Sequence, residues 1–91
     1  MDLNLKGRRA LVTGSTAGIG LAIATSLARE GARVIVTGRT QTGVDKAVGE
    51  VKAATGGDAV GFAGDLGTAM AVEELVRRHP GIDILVNNLG L

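Results

Sequence analysis

The feature that most constrains the fold of this chain is the glycine-rich segment TGSTAGIG at residues 13–20. An apolar, strand-like run precedes it, and apolar residues at helical spacing follow it from Ile19 to Glu30. Glycine lets a backbone turn tightly and approach an anion, and a helix N-terminus presents unpaired N–H groups and a positive dipole end. A glycine-rich bend between a buried strand and a helix therefore predicts a phosphate-binding turn, here for a dinucleotide.

Strand and helix patterns alternate along the rest of the sequence. Short apolar or β-branched runs predict four strands, at residues 10–13, 34–37, 59–63 and 84–86. Helical spacing of apolar residues predicts three helices, at residues 19–30, at residues 41–54 and between an N-cap at Thr68 and a stop at Pro80. The order β-α-β-α-β-α-β predicts an α/β fold with a Rossmann-type, doubly wound parallel sheet.

The predicted sheet is only part of such a fold. In the strand order 3-2-1-4 the fourth strand lies beside the first, and further strands should follow it. The third helix is expected to direct Val72, Leu75 and Val76 inward, yet part of one sheet face would stay bare. A bare apolar edge invites aggregation, so we expect further chain or a partner chain to cover the fourth-strand edge. Residues 1–91 are thus interpreted as part of a single dinucleotide-binding domain that is incomplete as a folded unit.

Composition argues against several classes of partner. The net charge is +1, from 10 basic and 9 acidic residues, which gives no electrostatic case for nucleic acid or a membrane surface. Phe62 is the only aromatic residue, there is no cysteine, and no apolar run has the roughly 20 residues of a membrane span. We therefore expect a cytoplasmic protein with no nucleic-acid partner, no membrane partner and no metal site.

The residue after the second predicted strand bears on the choice of dinucleotide. Arg39 follows Gly20 by the roughly 20 residues that place it near the adenosine ribose in this fold. An acidic residue there would bind the ribose 2′-hydroxyl and repel a 2′-phosphate, whereas arginine forms paired charge-assisted hydrogen bonds to phosphate. The sequence favours NADP over NAD, and a solvated surface arginine is the alternative.

Polar residues also follow the third and fourth strands. Asp65 is placed either to accept a hydrogen bond from an adenine amino group or to form a turn before the third helix. The segment at residues 87–90 leaves the fourth strand beside the glycine loop, where it forms either a ligand contact or an ordinary turn. His79 is the only histidine, and it is predicted to end a helix rather than to act in catalysis.

Together these motifs resemble the short-chain dehydrogenase/reductase family over essentially the whole chain. The resemblance implies that residues 1–91 are the N-terminal, cofactor-binding part of that single domain, without its catalytic half. The family pattern T-G-x-x-x-G-x-G is matched at residues 13–20, its Asp-Leu after the third strand at residues 65–66, and its N-N-A-G at residues 87–90. Leu89 replaces the usual alanine, which narrows the space near the nicotinamide ribose. The resemblance implies a set of cofactor-binding residues: Gly14, Ser15, Thr16, Gly18, Ile19, Gly20, Arg39, Asp65, Leu66, Asn88, Leu89 and Gly90.

The resemblance also implies a chemistry for the parent protein. Such an enzyme transfers hydride between NADP(H) and a small carbonyl or alcohol substrate, and it is a homo-oligomer. The family's catalytic tyrosine, lysine and serine lie further along, and this sequence contains no tyrosine, so no catalytic residue is predicted and the piece alone is expected to be inactive. Two alternatives remain: a stand-alone dinucleotide-binding or regulatory module without catalysis, and a structural or interaction protein whose loop packs without a ligand.

Overall fold

The computed structural model describes residues 5–88, which form a parallel four-stranded sheet with helices on both faces. The elements are β1 (Arg9–Val12), α1 (Gly18–Arg29), β2 (Arg33–Gly38), α2 (Gln41–Thr55), β3 (Ala59–Ala63), α3 (Ala69–Arg78) and β4 (Ile84–Val86). The strand order is β3-β2-β1-β4, and all pairings are parallel. The predicted fold class, element order and strand order are confirmed, and the predicted strand ends lie within one residue of those observed.

The two faces of the sheet bury different residues because side chains alternate along each strand. On one face, alanine and valine side chains of β1 and β2 pack with small residues of α1 and α2, such as Ala24, Ala28 and Ala47. On the other face, Leu11, Ile35 and Phe62 pack against Leu75 of α3. Small residues on α1 let this helix lie close to the sheet, which fixes its N-terminus at the end of β1.

Two of the three helices begin at a threonine cap. The Thr40 Oγ1 accepts a hydrogen bond from the Gly43 N–H at 3.1 Å, and the Thr68 Oγ1 accepts one from the Ala71 N–H at 3.2 Å. Helix α2 ends at Gly56, whose φ of +66° is the left-handed conformation that glycine adopts without strain. The C-cap of α3 is His79, so the predicted positions of Thr68 at the start and His79 at the end of this helix are confirmed.

The packing of α3 corrects one prediction. Leu75 is buried, but Val72 and Val76 are 42% and 55% exposed, so the expectation that all three point inward is wrong for the two valines. Leu85 of β4 pairs in register with Leu11 and is 64% exposed. Within residues 5–88, α3 is the only helix on this face, and a single helix buries one row of side chains and leaves the flanking ones in solvent. In the same described part of the chain, no helix is long and apolar enough to cross a membrane.

Candidate functional site

The loops that follow the first three strands meet at the carboxyl edge of the sheet and enclose a cavity of about 350 Å³. Its lining residues come from all three loops: Gly14, Thr16, Thr37, Gly38, Arg39, Thr40, Gly64, Asp65 and Leu66. Five of the residues implied by the family resemblance are among them. The carboxyl edge of an open parallel sheet, where the strand order reverses between β1 and β4, is the usual ligand position in such folds.

The shape of the glycine loop is set by two buried hydroxyl groups. Ser15 Oγ donates a hydrogen bond to the Val12 carbonyl at 2.8 Å and accepts one from the Thr37 N–H at 2.9 Å. Thr37 Oγ1 donates to the same Val12 carbonyl at 3.0 Å and accepts from the Gly14 N–H at 3.2 Å. The Ser15 N–H donates to the Thr37 carbonyl at 3.0 Å. These bonds fasten the start of the loop to β2 without any ligand.

The three motif glycines meet different requirements. Gly14 and Gly18 have φ values of +58° and +60°, which residues with a Cβ rarely adopt. A Cβ on Gly18 would meet no atom within 4 Å, so the space over this glycine is open to a ligand. A Cβ on Gly20 would overlap the Gly14 carbonyl oxygen and lie 2.6 Å from Asn88 Nδ2. Gly20 therefore permits close packing of helix and loop, whereas Gly18 leaves room outside them.

Asn88 connects the end of β4 to the glycine loop. Its N–H donates to Thr13 Oγ1 at 2.7 Å, and its Nδ2 donates to the Gly14 carbonyl at 3.2 Å. The Thr13 N–H in turn donates to the Val86 carbonyl at 3.0 Å. Asn88 thus ties the end of β4 to the glycine loop through bonds between residues far apart in sequence, whereas Leu89 and Gly90 lie outside the described residues.

The N-terminus of α1 differs from those of α2 and α3. Its N-cap is Ala17, which offers no side-chain hydrogen bond, whereas Thr40 and Thr68 cap the other two helices. Like those helices, α1 has no acidic residue in its first turn. The first N–H groups of a helix lack intrahelical partners, and the dipole makes this end attractive to an anion. Ile19, in this first turn, is 73% exposed, so an apolar side chain borders the open space over Gly18.

Arg39 lies directly after β2, at one side of the cavity. Its side chain is exposed, and it takes part in none of the ion pairs between residues 5 and 88. Gly38 before it makes room for Thr16, because a Cβ on Gly38 would lie 2.5 Å from Thr16 Cγ2. Thr40 after it caps α2. Arg39 is thus held between two fixed backbone positions while its guanidinium stays available to a phosphate.

Asp65 forms the turn before α3, which the sequence offered as the alternative to an adenine contact. Its Oδ1 accepts a hydrogen bond from the Gly67 N–H at 2.9 Å, and its carbonyl accepts from both the N–H and the hydroxyl of Thr68. Asp65 and Leu66 also line the cavity, on the β3 side. The turn does not exclude an adenine contact, and that contact stays a prediction.

Thr37 and Thr40 were not singled out by the sequence analysis, although both line the cavity. Thr37 ends a β-branched run, which is the composition of any buried strand, so nothing in the sequence marks its hydroxyl as a loop anchor. Thr40 had a usable signal, since a threonine three residues before Gly43 at a predicted helix start is a typical N-cap. Within residues 5–88 no group of three or more His, Asp or Glu side chains could hold a metal ion.

Comparison with known proteins identifies the family. The family model described as short chain dehydrogenase matches residues 8–91. The oxidoreductase YvaG of Bacillus subtilis is 53% identical over 93 residues, which cover 100% of this chain and 35% of that protein. D-beta-hydroxybutyrate dehydrogenase of Cupriavidus necator is 46% identical over 92 residues, which cover 96% of this chain and 35% of the relative.

Solved structures of proteins with similar sequences have the same fold as this chain. L-sorbose reductase from Gluconobacter frateurii, crystallised with NADPH and L-sorbose, superposes with a TM-score of 0.89 at 39% identity over 100% of this chain and 36% of that chain. A 2-keto-3-deoxy-D-gluconate dehydrogenase from Streptococcus agalactiae gives a TM-score of 0.87 at 38% identity, with 99% and 35% of the two chains covered. The chain therefore spans about a third of the length of these relatives. With its fold, its glycine loop and these similarities, the chain belongs to the short-chain dehydrogenase family.

Proposed function

We propose that this chain is the NADP(H)-binding portion of an oxidoreductase that interconverts carbonyl and alcohol substrates. The observation that carries the proposal is the cavity at the carboxyl edge, which Arg39 lines together with the glycine loop and Asp65. A dinucleotide needs a place for its pyrophosphate, its adenosine and its nicotinamide. Residues described here are available for the first two, and Asn88 lies on the side of the third.

The N-terminus of α1 suits a pyrophosphate. It lacks a side-chain cap and an acidic residue, and the space over Gly18 is open. An added Cβ or an acidic side chain at this position would oppose a phosphate by contact or by charge. In this proposal the first-turn N–H groups bind the pyrophosphate, while the Ser15 and Thr37 hydroxyls hold the loop rather than touch the ligand.

Arg39 supports NADP over NAD. The segment after β2 is Gly38-Arg39-Thr40, with no acidic residue to bind a ribose 2′-hydroxyl or repel a 2′-phosphate. The guanidinium has no ion-pair partner in residues 5–88 and is exposed beside the cavity. The similarity to an L-sorbose reductase crystallised with NADPH is in keeping with this assignment.

The reaction class rests on the relatives, which include a D-beta-hydroxybutyrate dehydrogenase and an L-sorbose reductase. A nicotinamide cofactor supplies or accepts the hydride when it is bound. The residues of this chain hold that cofactor: the loop and α1 bind its phosphates, Asp65 and Leu66 border the adenine, and Asn88 fixes the loop on the nicotinamide side. We propose that Leu89 and Gly90 contact the nicotinamide ribose, as the family resemblance implies.

The β4 edge is proposed to be covered by another segment or by a partner chain. Within residues 5–88, β4 pairs with β1 alone, and Leu85 on this strand is largely exposed. The relatives are almost three times as long as this chain, which leaves ample polypeptide in such a protein to pair with β4. A homo-oligomer of the whole protein is part of the same proposal.

The substitution Arg39→Ala tests the cofactor assignment in the full-length protein. Loss of a charge-assisted hydrogen bond is worth about 1.5–3 kcal/mol, so the affinity for NADPH should fall about tenfold to a hundredfold. The affinity for NADH should hardly change, because NADH has no 2′-phosphate. Dissociation constants from fluorescence titration give both values.

The matched control is Arg77→Ala, which removes the same charge from an exposed site on α3 that does not border the cavity. It should leave both dissociation constants unchanged. An equal loss for NADPH and NADH in Arg39→Ala, or no loss for either, would remove Arg39 from the site.

A further inference from the structure

A second cavity lies at the opposite, amino-terminal edge of the sheet. Its volume is about 260 Å³, and it is lined by the cationic side chains Arg9, Arg33 and Arg78, by His79, and by the apolar Ile35 and Val60. Arg9 begins β1, Arg33 begins β2, and His79 ends α3. Because a strand rises about 3.3 Å per residue, this cavity lies roughly 20 Å from Arg39 at the other end of β2. It is separate from the cofactor site.

Two of the three arginines at this cavity have no carboxylate partner for their guanidinium groups in the part of the chain that the structure describes. Arg78 Nε donates to Glu74 at 2.7 Å, but the Arg9 guanidinium donates to the Pro80 carbonyl, and Arg33 takes part in none of the ion pairs within residues 5–88. The Asp83 carboxylate accepts a hydrogen bond from the Arg9 backbone N–H at 2.9 Å and pairs with Arg8, so its ion pair is not with a guanidinium of the cavity. Two guanidinium groups at the cavity therefore lack an acidic partner among the described residues.

His79, the only histidine of the sequence, lines the same cavity, and its pKa is affected by the arginines. Burial, and then the charges of Arg33, Arg78 and Arg9, lower the pKa of His79 below its ordinary value. The imidazole is therefore neutral at pH 7, and protonation would add a further charge beside the three arginines. An anion placed among these groups would remove the repulsion.

We propose that this cavity is an anion-binding site that takes a small phosphate monoester. Guanidinium groups bind phosphate through paired, charge-assisted hydrogen bonds, and Arg9, Arg33 and Arg78 approach the cavity from three different elements. The buried Ile35 and the partly buried Val60 offer an apolar wall to the few carbon atoms of such an ester. The cavity shares no lining residue with the cavity at the carboxyl edge, so this site is independent of the proposed cofactor site.

The test uses inorganic phosphate as the probe and the His79 imidazole as the reporter, in the full-length protein. The His79 resonance is assigned by its absence in His79→Gln, and its pKa is measured by NMR at constant ionic strength with increasing phosphate. Bound phosphate favours the charged imidazolium, so the pKa of His79 should rise with a saturable dependence on phosphate concentration. Sodium chloride at equal ionic strength should not reproduce a saturable rise.

Three variants locate the effect. Arg33→Gln should weaken the apparent phosphate affinity about tenfold or more, as expected for one lost charge-assisted contact. Arg33→Lys keeps the positive charge but loses the paired N–H donors of the guanidinium. Its phosphate affinity should lie between those of Arg33→Gln and the unmodified protein. Arg77→Gln, with the same charge change on the neighbouring surface of α3, should bind phosphate like the unmodified protein.

Several results would overturn the proposal. One is a change in the His79 pKa that sodium chloride reproduces, and another is an equal loss of phosphate affinity in Arg33→Gln and Arg77→Gln. A third is loss of the phosphate-dependent pKa change in Arg39→Gln, which would place the phosphate at the cofactor site. A response to succinate with none to phosphate would assign the cavity to carboxylates and also contradict it. A failure of the protein to bind NADPH would not overturn this proposal, because the two sites share no residue.

Discussion

At the scale of single residues, the conformation of the glycine loop depends on hydroxyl groups that the motif itself does not emphasise. Ser15 and Thr37 are buried and share the Val12 carbonyl as acceptor, and Thr37 also accepts from the Gly14 N–H. Because these bonds form within the chain, the loop has its shape before a ligand arrives. A preformed loop reduces the ordering entropy that binding would otherwise have to overcome.

Gly20→Ala tests the tightest contact in the loop. The new Cβ would overlap the Gly14 carbonyl and crowd Asn88 Nδ2, so helix and loop must separate. We expect the free energy of unfolding to fall by about 1–3 kcal/mol, as for other overpacked sites, and the affinity for NADPH to fall with it. Denaturant unfolding and fluorescence titration measure the two quantities.

The control is Gly49→Ala in the middle of α2, where an added Cβ meets nothing within 4 Å. This substitution should raise the free energy of unfolding by about 0.5–1 kcal/mol, because alanine is the better helix former, and should not alter cofactor binding. A Gly20→Ala protein with normal stability and affinity would show that the close approach is unimportant.

Among the motif residues, the sequence identified the positions but not the role of each side chain. Gly14, Arg39 and Asp65 were predicted from their positions at strand ends, and all three line one cavity. Thr16 and Leu66, which were implied by the family resemblance, line the same cavity. Ser15 and Asn88 occupy the expected positions, but their hydrogen bonds run into the protein. A motif gives spacing, whereas the direction of a side chain depends on neighbouring strands that are distant in sequence. The cofactor contacts of all these residues stay predictions.

At the scale of elements, the three helix N-termini divide into two kinds. Helices α2 and α3 have their first N–H groups capped by Thr40 and Thr68, and α1 begins at Ala17 without such a cap. A threonine at a helix start is detectable from sequence, and Thr68 was identified in this way. The absence of a cap at α1 becomes meaningful only in the fold, where this end faces the open space over Gly18.

The two caps can be separated by mutation. Thr40→Ala and Thr68→Ala should each lower the free energy of unfolding by about 1 kcal/mol, the usual value of a lost N-cap. Thr40 borders the cavity and Thr68 does not, so only Thr40→Ala should also weaken NADPH binding. Thermal denaturation and titration of both variants provide the comparison. The prediction fails if Thr68→Ala reduces the NADPH affinity as much as Thr40→Ala does.

Element boundaries were predictable because periodicity, glycine and proline mark them along the chain. The exposure of two valine side chains on α3 was not predictable, because Val72 and Val76 have the spacing of an inward-facing row. Whether such a row is buried depends on how many helices cover the sheet face. Sequence periodicity does not contain that information.

At the scale of the whole molecule, the two edges of the sheet carry different chemistry. The carboxyl edge combines the glycine loop, the uncapped helix end and Arg39, and the amino edge combines three arginines with His79. Strand β2 contributes residues to both cavities, whereas β1 contributes Arg9 to the amino-edge cavity and the loop after β1 contributes to the carboxyl-edge one. Val72 and Val76 of α3 and Leu85 of β4 are exposed, and the proposed covering segment would bury apolar side chains of this kind.

The most direct test of the cofactor proposal is a crystal structure of the full-length protein with NADPH. We expect the pyrophosphate within hydrogen-bond distance of the first-turn N–H groups of α1 and the 2′-phosphate against the Arg39 guanidinium. The adenine should lie beside Asp65 and Leu66. A dinucleotide bound away from the glycine loop, or a 2′-phosphate directed into solvent away from Arg39, would contradict the account.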